Sequence, residues 1–301
     1  MYLHGNASSR YEALPYLQFL LPSNITLFCF DFSGCGQSEG EYISLGWWER
    51  EDLKNVICFL KSTNRVSHIA LWGRSMGAAT ALLYAGQDDS LASIVADSSF
   101  SNLSELMQEI ATTLAPNLPA FLRSMLLWFI KRTVKEKAGF NVDNVNPIDI
   151  LGEIKTPIQF IVAEGDNFVL PRHGIALYEK YKGDKQLIKV LGDHNTQRPA
   201  HVMSKVYTFL CNTLNVNKLP GYKAPNPDNT LTRLDTKPIA NFPQAVFPIT
   251  KVLKQKNILN KEEIDYMEDP ISFILNPEEE LNAAIKLSLK SYNDEKKKDL
   301  T

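Results

Sequence analysis

Gly73-Arg74-Ser75-Met76-Gly77 lies between the apolar run Ile69-Ala70-Leu71-Trp72 and the helix-forming Ala78-Ala79-Thr80-Ala81-Leu82-Leu83. A strand that turns abruptly into a helix, with a serine at the apex, is the arrangement this order of residues demands. Side chains at positions 73 and 77 would collide with the neighbouring strand and helix, which is why glycine stands on both sides of the turn. The serine itself takes a strained backbone there. Ser75 is thereby predicted at the carboxyl edge of a sheet and the amino end of a helix, where a hydroxyl can serve as a nucleophile if a base is at hand.

The surrounding text supports an α/β fold. Short apolar runs alternate with segments of helical period over residues 1–214, as in a mostly parallel sheet covered by helices on both faces. Strands are expected at Ile25–Phe32, His68–Trp72, Ser93–Asp97, Ile158–Ala163 and Gln186–Leu191, and helices near Arg10–Leu21, Trp47–Lys61, Met76–Ala85, Ile175–Lys182 and Ala200–Leu214. Connections of that length suit right-handed crossovers between parallel strands. One stretch, about 103–148, interrupts the rhythm with a helical apolar pattern around Leu118, Phe121, Leu122, Leu126, Phe129 and Ile130. An insertion of this kind is either a cap over the carboxyl ends of the strands or a helix packed into the core.

A base and an orienting acid follow in order. Asp166, in Glu164-Gly165-Asp166-Asn167-Phe168-Val169, comes directly after the strand Ile158–Ala163, and His194, in Gly192-Asp193-His194-Asn195, comes after Gln186–Leu191. Both are placed to reach Ser75, His194 as proton acceptor and Asp166 as its orienting carboxylate. Asp166 could instead be a helix cap, and Asp97, at the end of Ser93–Asp97, is the alternative acid. Asp193 adjoins His194 and is poorly placed to reach back to its ring, while His4, His68, His173 and His201 read as structural or exposed. An oxyanion needs two fixed N–H donors; the backbone N–H of Met76 and of Asn6 are nominated, although Gly5-Asn6 is also a plain turn.

Taken together, His4-Gly5-Asn6, Asp31-Phe32-Ser33-Gly34-Cys35-Gly36-Gln37-Ser38-Glu39-Gly40, the Ser75 turn, Asp166-Asn167-Phe168-Val169 and Gly192-Asp193-His194-Asn195 resemble the α/β-hydrolase superfamily, and within it the serine aminopeptidase-like hydrolases with a small helical cap. The resemblance implies an α/β-hydrolase fold and a Ser75–His194–Asp166 triad that cleaves an ester, thioester or amide bond in a small-molecule, acylated or peptide substrate, with no cofactor and no metal. An apolar cap would favour a hydrophobic acyl group. Only Met1-Tyr2-Leu3 precede the His4-Gly5 loop, so the first strands of the family are missing from the sheet; the chain reads as incomplete or as a shortened sheet whose edge, Ile25–Phe32, is open to pairing.

Composition removes other classes. Lys and Arg number 32 against 34 Asp and Glu, a net charge of −2, which gives no field for nucleic acid. Apolar runs such as 125–130 fall short of the roughly 20 residues of a membrane span. The first residues lack a secretory signal, so a cytoplasmic location is expected. Cys29, Cys35, Cys58 and Cys211 have neither disulfide nor zinc spacing and are read as reduced, the first three buried.

Beyond a proline-broken linker or arm at 215–270, residues 271–301 carry a second signal. Asn276 and Pro277 cap a helix whose first turn holds Glu278, Glu279 and Glu280, and Leu281, Ala284, Ile285 and Ser288 share one stripe. This stretch resembles a ubiquitin-interacting motif, with Ser291 where an acidic residue is usual. The alternatives are a helix that packs back on the hydrolase region, or an adaptor in which that region is a non-catalytic scaffold and ubiquitin is the partner.

Overall fold

Strands and helices alternate through residues 1–218, which are the residues described in the computed structural model. The order is β1 (Tyr2–Leu3), a 3-10 helix (Arg10–Tyr16), α1 (Leu17–Leu20), a 3-10 turn (Leu21–Ser23), α2 (Glu49–Ser62), β2 (Ala70–Arg74) and α3 (Met76–Ala85). It continues through β3 (Ser93–Asp97), α4 (Leu103–Leu114), α5 (Ala120–Ala138), a 3-10 turn (Val142–Asn144), α6 (Pro147–Ile150), β4 (Ile158–Ala163), α7 (Pro171–Lys180), β5 (Lys185–Val190), α8 (Ala200–Thr213) and a last 3-10 turn (Val216–Lys218).

The strands form a five-stranded sheet in the order β1-β2-β3-β4-β5, every pair parallel. Successive residues along each strand point to opposite faces, and the core divides accordingly. Leu71, Ile94 and Phe160 join Leu53, Ile57, Leu82 and Leu177 from α2, α3 and α7 on one face. Trp72, Val95 and Ile161 join Phe19, Val202, Val206 and Phe209 from α1 and α8 on the other. Both faces of β2, β3 and β4 are thus covered, so these strands read as continuous apolar runs rather than alternating ones.

Several expectations are corrected by the structure. Ile25–Phe32 is not a strand: its one ladder contact is an isolated parallel bridge between Cys29 and Tyr2, beside a hydrogen bond from Tyr2 N–H to Phe28 O of 2.8 Å. The cause is its neighbour, since β1 offers only two residues to pair with. Its apolar side chains are partly covered: Ile25 and Phe32 are buried, and Phe30 stands edge-on to Phe32 with ring centroids 4.9 Å apart. Arg10–Leu21 is mostly 3-10 rather than α: Arg10–Tyr16 is a 3-10 helix with Pro15, which has no N–H to donate, inside it, and only Leu17–Leu20 is α. Of the cysteines, Cys35 and Cys211 are buried, Cys29 is half-buried, and Cys58 faces solvent from α2, opposite the buried Leu53 and Ile57. Burial pushes the Cys35 thiol up to about 12. Within the insertion the two halves differ: α5 has no buried residue, whereas Leu103 and Leu106 of α4 and Phe140, Val142 and Val145 after α5 join a buried cluster with Ala79, Leu83 and Phe100.

Among the described residues, no helix is long and apolar enough to cross a membrane. The arm expected at 215–270 falls outside the described residues after 218, as does the whole of 271–301 with Leu281, Ala284, Ile285 and Ser288.

Candidate active site

β2 ends and α3 begins around Ser75, whose backbone is held at φ +52° and ψ −116°. That left-handed region is costly for a residue with a side chain and persists only where the surroundings enforce it. They do so here through close packing. A Cβ on Gly73 would overlap the carbonyl of Gly77, and a Cβ on Gly77 would overlap the carbonyl of Leu3 in β1. Ser75 N–H also donates to Asp97 O at 2.8 Å, tying the turn to the end of β3. The turn therefore fits between two strands only because both flanking positions lack side chains.

Ser75, His194 and Asp166 meet above the carboxyl ends of the strands. His194 Nε2 lies 3.0 Å from Ser75 Oγ, and His194 Nδ1 lies 2.6 Å from Asp166 Oδ2. All three side chains are largely buried. The other Asp166 oxygen, Oδ1, accepts from Phe168 N–H at 3.0 Å and Val169 N–H at 2.8 Å, so the loop after β4 fixes the carboxylate's direction. Phe168 covers the imidazole, with ring centroids 5.3 Å apart. With Nδ1–H donating to the Asp166 carboxylate, Nε2 is left as an acceptor for a hydroxyl proton.

The alternative acid is otherwise engaged. Asp97 binds the guanidinium of Arg198, with Nη2 to Oδ1 at 2.8 Å and Nε to Oδ2 at 3.0 Å, and both side chains are 3% exposed. Arg198 also donates to Ser98 Oγ at 2.9 Å and to Thr196 O at 2.8 Å, so this pair fastens the His194 loop to the end of β3. Asp193 caps its own turn, accepting from the N–H of Asn195 and Thr196.

The loop bearing Asn6 runs beside the serine: a Cβ on Gly5 would stand 3.8 Å from Ser75 Cβ. His4, fully buried, holds this loop through Nδ1 to Gly5 O at 2.8 Å, while Nε2 accepts from Phe32 N–H at 3.2 Å. Asn6 is exposed and Met76, the first residue of α3, is buried.

Two residues that pattern reading passed over brace the site. Glu12 accepts from Gly5 N–H at 3.0 Å, from Tyr2 OH at 2.8 Å and from Arg74 Nη1 at 3.2 Å. Arg74 in turn donates from Nη2 to His194 O and to Asn195 Oδ1, each at 2.9 Å. The Gly5-Asn6 loop and the His194 loop thus share one ion pair. Burial alone would raise the Glu12 carboxyl, but hydrogen bonds from Ser8, Gly5 and Tyr2 and the charge of Arg74 hold it below the usual range. Arg74 was visible only as the variable position of the Ser75 turn, and neither Glu12 nor Arg198 has any local signal. Among the described residues, no three His, Cys, Asp or Glu side chains converge as metal ligands would.

Comparison with known proteins agrees with this architecture. The family model of the alpha/beta hydrolase fold matches residues 1–146. Uncharacterized protein YqkD of Bacillus subtilis is 32% identical over 197 residues, covering 64% of this chain and 63% of its own length, so the chain spans less than two thirds of that relative. Among solved structures, the esterase Pf2001 of Pyrococcus furiosus is 26% identical, with a TM-score of 0.54 over 70% of this chain and 81% of that one. A monoacylglycerol lipase of Paleococcus ferrophilus, 19% identical, has a TM-score of 0.53 over 70% and 93% and shares the fold. The chain has the α/β-hydrolase fold.

Proposed function

We propose that this chain, built on the α/β-hydrolase fold, is a serine hydrolase that cleaves an acyl bond through a covalent intermediate. The observation that carries the reading is the continuous line from Ser75 Oγ through His194 to Asp166, with hydrogen-bond distances at both joints. In this mechanism Ser75 Oγ attacks the substrate carbonyl carbon as His194 Nε2 takes its proton. Asp166 holds the imidazole in the tautomer that can accept that proton and stabilises the imidazolium that results. The tetrahedral oxyanion is bound by the N–H groups of Met76 and Asn6. The bond to the leaving group then breaks, and His194 returns the proton to the departing oxygen, sulfur or nitrogen. Water, deprotonated by His194, attacks the acyl-enzyme and frees the acid and Ser75. No cofactor enters these steps.

The same chemistry serves esters, thioesters and amides, and the pocket rather than the fold selects among them. Likeness to a protein described as an esterase favours a carboxylic ester. A panel of chromogenic esters of increasing acyl length, run beside thioester and anilide analogues, tests the reading. Turnover that disappears in both Ser75→Ala and His194→Ala supports it, and turnover surviving either substitution refutes it. Removing one member of such a set typically costs about 10⁴-fold or more.

A further inference from the structure

The helix α5 turns a row of large apolar side chains to solvent. Phe121, Met125 and Trp128 recur at i, i+4 and i+7, and the same face continues as Arg132 and Lys135 at i+11 and i+14. Phe121 is 71% exposed, Met125 60% and Trp128 58%, with Phe129 beside them at 61%. Single exposed apolar residues are ordinary on a protein surface, but four within adjoining turns of one helix form a patch that marks an interaction site.

The charge of the helix indicates what covers that patch. It carries Arg123, Lys131, Arg132, Lys135 and Lys137 against the single acid Glu136, in a chain whose net charge is −2. Apolar and basic residues are segregated along the axis, with the aromatic side chains in the first half and most of the cations in the second. Arg132 bridges the halves, pairing with Glu136 at 2.7 Å while its guanidinium lies 5.8 Å from the Trp128 ring. A two-fold pairing through α5 would set the basic half of one helix against the aromatic half of its copy and leave the cations without counter-charges, which an anionic surface supplies. Aromatic side chains beside a basic collar are what an anionic lipid surface takes up: rings at the headgroup–acyl boundary and cations among the headgroup charges.

We propose that α5 is a docking element for the surface of an anionic bilayer, with Phe121, Met125, Trp128 and Phe129 entering the interface and Arg132 and Lys135 binding the headgroups. The binding is peripheral and reversible, and it is independent of the acyl chemistry assigned to Ser75.

Flotation of the full chain with vesicles of phosphatidylcholine alone, and of phosphatidylcholine mixed with phosphatidylserine, tests this at low and high salt. The expected result is binding to the anionic vesicles that weakens as salt rises. Two double variants separate the contributions, Phe121→Ser with Trp128→Ser and Arg132→Gln with Lys135→Gln, each checked for a native thermal transition. The second is expected to lose about fivefold in partition per cation neutralised, and the first to lose binding to the anionic vesicles at both salt levels. No flotation, or flotation equal in the parent and both variants, overturns the proposal. A concentration-dependent dimer that Phe121→Ser with Trp128→Ser dissolves, without vesicle binding, also overturns it and gives the face to a second copy.

Discussion

Replacing Gly77 with alanine adds one methyl group, and its consequences can be worked through from the packing. The new Cβ would overlap the carbonyl oxygen of Leu3 and lie 2.6 Å from Leu3 C and 2.8 Å from His4 O. All three are backbone atoms, so no side-chain rotation relieves them. Ordinary contact begins near 3.4 Å, and α3 must therefore move from β1 by more than half an ångström. Alanine is the better helix former by about 1 kcal/mol, whereas overpacking costs about 1–3 kcal/mol; against rigid backbone the cost falls toward the top of that range, leaving a net loss of up to about 2 kcal/mol. That is a fall of a few degrees in Tm, on the order of 2–4 °C per kcal/mol for a chain region of this size. The effect on chemistry is larger. Ser75 sits two residues before Gly77, and a displacement approaching 1 Å at a reacting atom costs about 10²-fold. Stopped-flow acylation by a chromogenic ester and a thermal melt, run on the same sample of Gly77→Ala, read both quantities. A variant with parental Tm and parental acylation rate would show that the Ser75 turn is not wedged against β1.

Three further predictions concern the brace around the site. Asp97→Asn leaves the Arg198 guanidinium buried without its counter-charge, so a loss of about 3–5 kcal/mol is expected in urea unfolding; Asp97→Asn combined with Arg198→Met should recover much of it, and a single variant of parental stability would refute the account. Arg74→Gln releases His194 O and takes the counter-charge from Glu12, so acylation should slow by up to about 10²-fold and Tm should fall as well, and an unchanged rate would show that the brace does not set the His194 loop. Burial would raise the Asp31 carboxyl, but the N–H groups of Gln37 and Arg10 and the Arg10 guanidinium hold it low, as the Glu12 carboxyl is held low by Ser8, Arg74, Gly5 and Tyr2. Carboxyls whose folded value lies below the unfolded one stabilise the fold above the ordinary carboxylate range, and that stability is lost as pH falls through their folded values. Unfolding free energy should therefore drop between neutral pH and about pH 3, and drop less in Glu12→Gln; an equal drop in both would remove Glu12 from the explanation.

What the chain's letters disclose is uneven, and the reason is physical. β3 and β4 have the bounds read from their apolar runs, and α3 those read from its alanine-rich stretch, because each is buried on all sides and its composition records that burial. Ile25–Phe32 has an equally good strand composition and fails, since a ladder needs a partner and β1 supplies two residues. Ser75, His194 and Asp166 stand out because each follows a strand, where side chains at successive strand ends converge. Glu12, Arg74, Asp97 and Arg198 work through contacts across the fold, Asp97 and Arg198 being 101 residues apart, and no local period marks such a pair.

The central claim is that Ser75 is a nucleophile held ready by His194 and Asp166. Covalent labelling with a fluorophosphonate, followed by peptide mass spectrometry, tests it directly without knowledge of the substrate. The account predicts one adduct, on the peptide containing Ser75, absent from Ser75→Ala and strongly reduced in His194→Ala. A folded protein that takes up no label, or that labels equally in Ser75→Ala, would contradict it.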